Sequence, residues 1–492
     1  MSWGERVDDP DSMSGKPATT LSHEQPEVDP SSPAATWGWG FLLACLILFA
    51  VVTVPVIVDG APLLDDFGRC VDPQKAGNWQ EHWELQGVFR PATTLEIVVT
   101  NGLCRTVPFS FVILIPWLLT IGVAFLTRGF LGEIGVASPW REIGAGLWLL
   151  APLGTETALR PATIHVTLGL GLALVALWSF HRGNLFLGAL LALGSYLSVE
   201  QTILALPLAA YMVSPRDKRL QAVTSTVVLS VVVTLAYSLW GGTTFGLAVS
   251  LPQRLADVFR DVEEYAILPG IGLGAQSIPA AVRWAFPISI VVLAIGVIAG
   301  WQLGPRLLHP APSRMRWLGM RHVAAALALL VLINLPVALD YPHQHSPRIF
   351  QPSWLAIVIF AAIVGSQTRW RHQRLVGATA GALIAGALLS LALSSWVRVE
   401  TSALVEDAMK RIAAETPPGG VVAICGRRRT LVQPAPYGDF SVHEFMGRPD
   451  EAYEYYTGKT AEIRVGGYAA ESNCPDTTGA DVVFDFNELV DR

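Results

Sequence analysis

The sequence predicts a mainly α fold: a polytopic membrane helix bundle of about eleven spans, followed by a small C-terminal α/β domain. Three observations carry this. Hydrophobic residues make up 52% of the 492-residue chain and charged residues 15%, whereas soluble domains carry about 25% charge. Apolar stretches recur at 39–58, 108–126, 142–153, 161–180, 184–198, 201–213, 221–240, 285–303, 322–339, 349–366 and 375–396. Beyond 396 the chain turns polar and alternates helical with strand-like patterning. A net charge of −6 offers no footprint to a nucleic acid. No internal repeat or metal-type Cys/His spacing is present.

Residues 1–36 are acidic and rich in Pro and Ser, too poor in apolar surface to offset ordering entropy, and read as a disordered N-terminus. The first apolar run starts near Trp39, too far in for a cleavable leader. Residues 37–396 form the membrane domain, with outer loops at 59–107 and 241–284. Several of its apolar stretches are shorter than the ~20 residues that a perpendicular span requires. The run from Leu185 to Val213 reads either as two short segments or as one tilted helix. Trp79 and Trp83 suit interfacial anchoring. In the 241–284 loop, LPQRLADVFRDVEEYAIL has the spacing of an amphipathic surface helix. Residues 397–492 form the α/β domain, with a helix over TSALVEDAMKRIAAE and strands at VVAICG, AEIRVGG and ADVVFDF.

Basic residues fall in alternate connections: Arg128 and Arg141; Arg182; Arg216, Lys218 and Arg219; Arg306, Arg314, Arg316 and Arg321; and Arg369, Arg371 and Arg374. The positive-inside rule places these, and the N-terminus, in the cytoplasm of a multi-pass plasma-membrane protein. The 59–107 loop, Glu156, Glu200 and the C-terminal domain then face outward. Four of the five cysteines fall in the same two outward regions, as Cys70 with Cys104 and Cys425 with Cys474, which suits disulfides in an oxidising compartment. Cys45 lies within an apolar segment as a small buried residue.

Ionisable residues beside a membrane are the candidates for chemistry. Asp65 and Asp66 follow the first span directly, and a loop carboxylate suits the removal of a proton from an attacking hydroxyl. Glu156, between Pro152 and Pro161 and followed by Arg160, suits a cavity wall. Glu200 begins another apolar segment, where a helix-capping role is equally served. Arg348 stands in an otherwise uncharged rim, and a guanidinium fork fits phosphate oxygens. His343 and His345 stand beside it without a third metal ligand.

Four segments in order resemble the GT-C superfamily of multi-pass glycosyltransferases, in particular the protein O-mannosyltransferase branch. Asp65-Asp66 with Phe89-Arg90-Pro91 is similar to that branch's acidic pair and aromatic-Arg-Pro. Ala151-Pro152-Leu153-Gly154-Thr155-Glu156 resembles its His-Pro-x-His-x-Glu, with both histidines replaced. Ser198-Val199-Glu200 with Pro207 resembles Ser-Lys-Glu, with Val199 for the lysine. Pro347-Arg348-Ile349-Phe350-Gln351-Pro352-Ser353 resembles Glu-Arg-Tyr-x-Tyr-x-Pro-Ser, with Pro347 for the glutamate. The resemblance implies inverting transfer of a sugar from a polyprenyl-phosphate donor to an envelope glycan, lipid or protein on the outer face, without a metal. It implies Asp65 as base, Asp66 and Glu156 shaping the pocket, Arg348 and Arg90 on the lipid phosphate, and Glu200, Arg160 and His345 as further pocket residues. The competing expectations are a non-catalytic scaffold of the same fold in envelope assembly and a lipid or glycan transporter.

Overall fold

The computed structural model describes residues 33–60, 62, 70, 91–151, 158–241, 285–307, 320–340, 351–367, 372–425, 449–465 and 474–485. Its helices are α1 (Pro33–Asp59), α2 (Pro91–Thr106), α3 (Phe109–Glu133), α4 (Trp140–Leu149), a 3-10 turn at Pro161–Thr163 leading into α5 (Ile164–His181), α6 (Leu185–Ser198) and α7 (Thr202–Val213). They continue as α8 (Arg219–Gly241), α9 (Ala285–Leu307), α10 (Met320–Asp340), α11 (Gln351–Gln367) and α12 (Gln373–Glu415). β1 (Val421–Cys425), α13 (Pro449–Thr457), β2 (Glu462–Val465) and β3 (Val482–Asp485) are the last of the described elements. Each of the eleven apolar stretches coincides with a helix. Among the described residues, four helical segments, Thr36–Asp59, Phe109–Glu133, Pro161–His181 and Arg219–Leu239, are long and apolar enough to cross a membrane. Others are half-length: α4, α6 and α7 have 10, 14 and 12 residues, about 15–21 Å against ~30 Å of hydrocarbon.

Leu185 to Val213 is two helices rather than one. His181 Nδ1 lies 2.9 Å from the Val213 carbonyl, and the Lys218 ammonium donates to Gly183 O at 2.9 Å. The start of α6 and the end of α7 therefore share an end of the bundle, and the chain reverses between them at Val199–Gln201. Val199 is extended, with φ −139° and ψ 104°, which breaks the helix without a Pro or Gly signal.

The core centres on α1, α3, α4 and α5. Phe49 stacks on Trp117, with ring centroids 5.9 Å apart, and Trp117 Nε1 donates to Thr53 Oγ1 at 2.8 Å. Buried Trp148 donates from Nε1 to the Thr120 carbonyl at 3.0 Å. Each polar tip thus has a partner, as burial demands.

Farther along the chain the packing principle changes. Gly296, Gly300 and Gly304 of α9 face Gly377, Gly381 and Ala385 of α12 backbone to backbone, and a Cβ on Gly300 would run into the Gly377 carbonyl. Lipid removes the hydrophobic drive between helices, so small residues that allow close approach supply it instead.

α12 runs unbroken through the change of composition at 396 for 43 residues, about 64 Å, because no Pro interrupts it before Pro417. Its distal part packs beneath a parallel three-stranded sheet of order β2-β1-β3. Val405, Met409, Ile412, Val422, Ile424 and Tyr453 form the small core there. Near the membrane end of that core, Asp59 accepts a hydrogen bond from Ser402 beside Arg398 and Glu406, joining the tail of α1 to α12.

Candidate functional site

The charges divide the bundle into two unlike ends. At one, Glu142 is fully buried and takes Arg141 Nε at 2.7 Å and Arg128 Nη2 at 3.0 Å. The Arg128 guanidinium also lies 3.9 Å over the Trp39 ring. Arg182 pairs with Glu133 through two bonds of 2.8 and 3.1 Å. The start of α1, the end of α3, the start of α4 and the end of α5 meet here, with Lys218 close by. Removing either guanidinium would leave the buried carboxylate less well compensated.

The opposite end is built differently, and α2 shows how. Its fully buried residues are Thr94, Glu96, Thr100 and Asn101, all of them polar. Burying such a face costs free energy unless partners meet it, so α2 is the wrong helix for a greasy core. It packs against α3, the 161–163 turn, the head of α5 and the end of α6. Glu96, with a side chain only 2% exposed, accepts from the backbone N–H of His165 at 3.1 Å through Oε2. The same oxygen meets His165 Nδ1. His165 stands at the head of α5, and its side chain is 18% exposed.

Arg160 is buried just before the 3-10 turn, where its carbonyl receives Thr163 N and Oγ1 at 3.1 and 2.9 Å. Pro161, at the first position of the turn, presets φ there and has no N–H to leave unmatched. Glu200 is half-buried at the α6–α7 reversal, and its carbonyl accepts from Ile203 N at 3.1 Å. That reversal sits inside the bundle: a Cβ on Gly169 would lie 2.5 Å from Val199 Cγ2 and 2.8 Å from Ser198 Cβ. Gly169 is five residues into α5, so Glu200 and Gln201 lie about 8 Å below its head.

Two disulfides are formed. Cys70 is bonded to Cys104 in the last turn of α2, 34 residues away in sequence with Cα atoms 5.2 Å apart. Cys425, at the end of β1, is bonded to Cys474. Cys45 is free and buried. Both pairings expected from the sequence are formed. Gly60, with φ 63°, ends α1 and donates its N–H to Val56 O at 3.0 Å. A Cβ there would collide with Ser110, so glycine is required where the chain turns off α1 toward the first loop.

Of the candidate site and disulfide residues named from the sequence, Arg160, Glu200 and the four paired cysteines are described, and the first two fall at this polar end. Asp65, Asp66, Arg90, Glu156, His345 and Arg348 lie outside the described residues, as do Trp79, Trp83 and the 241–284 loop beyond Gly241. Sequence reasoning missed Glu96 and His165. Each is a lone ionisable residue in an apolar context, TTLEIVV and ATIHVTL, and that isolation was the available signal. Among the described residues no group of three or more His, Cys, Asp or Glu is arranged to hold a metal ion. No protein family, curated protein or solved structure matches this chain.

Proposed function

We propose that this protein is a membrane glycosyltransferase of GT-C type, moving a sugar from a polyprenyl-phosphate donor to an envelope acceptor on the outer face. The observation that supports it most is the inward-facing polar surface of α2, closed by the Glu96–His165 pair, at the end of the bundle away from the clustered arginines. If the arginine-rich end is cytoplasmic, this chemistry opens outward, where a lipid-borne phosphate at the interface meets an acceptor from the medium. The two disulfides agree with that side. In this reading the bundle has about eleven spans or part-spans, and α4, α6 and α7 reach only part-way so that a cavity opens above them. Irregular backbone at such depth is tolerated where it lines a cavity.

The reaction is a single inverting displacement. The acceptor oxygen attacks the anomeric carbon as Asp65 takes its proton, and the bond to the lipid phosphate breaks with its electron pair going to the phosphate oxygen. Asp66 and Glu156 shape the pocket, and Arg348 with Arg90 bears the phosphate charge. The full-length chain in lipid nanodiscs, given radiolabelled polyprenyl-phosphate sugars and extracted envelope acceptor, tests this. Transfer by the wild type that is lost in Asp65→Asn, with expression and insertion unchanged, supports it. Full activity in Asp65→Asn removes Asp65 as base. A protein that binds polyprenyl phosphate no better than polyprenol is a scaffold instead.

A further inference from the structure

The arginine-rich end of the bundle holds a charge group that does not balance itself. Arg128 Nε, Arg128 Nη2 and Arg141 Nε converge on a single oxygen of buried Glu142, Oε1, at 3.1, 3.0 and 2.7 Å. The second oxygen, Oε2, has no hydrogen-bond partner among the described residues. It lies against α1, where a Cβ on Gly38 would fall 2.9 Å from it, so the carboxylate cannot turn outward to offer more. Two permanent cations thus share one anion, which leaves one net positive charge. Glu133 does not cancel it, because Arg182 already takes both of its oxygens. Arg141 meets Glu142 through Nε alone. Its two Nη groups have no hydrogen-bond or ion-pair partner among the described residues, and its side chain is 22% exposed.

These cations stand at headgroup depth. Arg128 lies within the last two turns of α3, a helix long and apolar enough to cross a membrane, and Arg141 is the second residue of α4. Trp37 and Trp39 are both exposed in the first turns of α1, as interfacial indoles are, and the Arg128 guanidinium over Trp39 shares their level. We infer that the Arg128–Arg141 pair binds the phosphate of an anionic phospholipid, the phosphate oxygens meeting the open edge of Arg141 and the glycerol backbone resting beside Trp39. An edge with two N–H groups matches two phosphate oxygens, which a lysine would not. The single surplus charge selects the headgroup. A singly anionic lipid neutralises it, whereas a zwitterionic one brings its own cation toward the same guanidiniums. Anionic lipid belongs to the cytoplasmic leaflet, the side that the positive-inside rule gives to this end, so bound lipid and basic connections favour one orientation.

The full chain in nanodiscs of phosphatidylglycerol and phosphatidylcholine in equal parts tests this, with native mass spectrometry reading which lipid stays bound. Wild type retains phosphatidylglycerol over phosphatidylcholine by roughly tenfold, the contribution of one charge-assisted hydrogen bond. Arg141→Gln loses most of that ratio. Arg216→Gln, which removes an exposed cation from the same end, keeps it. A phosphatidylglycerol with a photoreactive headgroup marks the site in the wild type, read by peptide mass, and covers the case of a poorly folding variant. Its adducts fall on the segments around Trp39, Arg128 and Arg141. A wild type without preference overturns the inference, as do adducts confined to other segments. Ratios lowered equally by the two substitutions would make the attraction diffuse surface charge, and displacement of the lipid by millimolar inorganic phosphate would make the ligand a free anion; either result overturns it too. None of these outcomes bears on the transferase, whose chemistry lies at the other end of the bundle.

Discussion

Gly169→Ala offers a sharp probe of how the polar end is assembled. Gly169 lies within α5, where alanine is favoured over glycine by about 1 kcal/mol on helix propensity alone. Its position reverses that preference, because the new methyl would sit 2.5 Å from Val199 Cγ2 and 2.8 Å from Ser198 Cβ. Ordinary carbon contacts are ~3.5–4.0 Å, so the α6–α7 reversal must retreat by about 1 Å. Overpacking of this kind costs roughly 1–3 kcal/mol, leaving a net destabilisation of about 0–2 kcal/mol. The displaced segment carries Glu200 and Gln201, and in the proposed transferase a shift of ~1 Å in a positioned group would lower turnover by up to about 100-fold. The assay is a double-mutant cycle with Val199→Ala, measuring thermal unfolding in detergent and transfer in nanodiscs. Trimming Val199 removes the atoms that clash, so the double variant should recover about 1–3 kcal/mol relative to additivity. Strict additivity, or a Gly169→Ala protein more stable than wild type, would refute the close approach and with it the depth assigned to Glu200.

Three further outcomes follow from other features. Gly300→Leu should lower the unfolding midpoint sharply by forcing α9 from α12, whereas Gly122→Leu, at a position with open space around it, should not; equal effects would refute the glycine contact. Alkylation of the denatured, unreduced protein should label one thiol, Cys45, and reduction should expose four more; two or more labelled thiols at the outset would break the assigned pairing. In the α/β domain, burial raises the phenols of Tyr455 and Tyr456 above their ordinary 10.0, with the Glu406 and Asp59 carboxylates adding to the rise. A raised folded-state pKa gives stability that is complete below pH ~10 and lost as pH climbs through the folded value. Melting should therefore worsen above pH ~10, and replacing both tyrosines with Phe should flatten the decline; two tyrosinates absorbing below pH ~10 would contradict it.

The helices were legible because lipid and buried protein both demand apolar side chains, and unbroken runs such as 221–240 admit no other reading. The strands around Cys425 were legible for a local reason: β-branched runs bounded by Gly and Pro. The path of the chain between elements was less so. Nothing in SYLSVEQTIL shows that Val199 rather than Glu200 breaks the helix, because the break comes from tertiary packing onto Gly169. The polar side of α2 was hidden for a related reason. Read alone, TTLEIVVTNGLCRT is an amphipathic stretch whose polar face belongs to water, and only its neighbours show that this face is turned inward. His165 needed Glu96 beside it, 69 residues away in sequence, before it meant anything chemically.

The unbroken α12 makes the C-terminal α/β domain a lever arm instead of a tethered bead. A helix of about 64 Å that tilts by ~10° at its foot swings its tip by about 11 Å. Anything that reseats the glycine contact with α9 is therefore felt far from the bilayer.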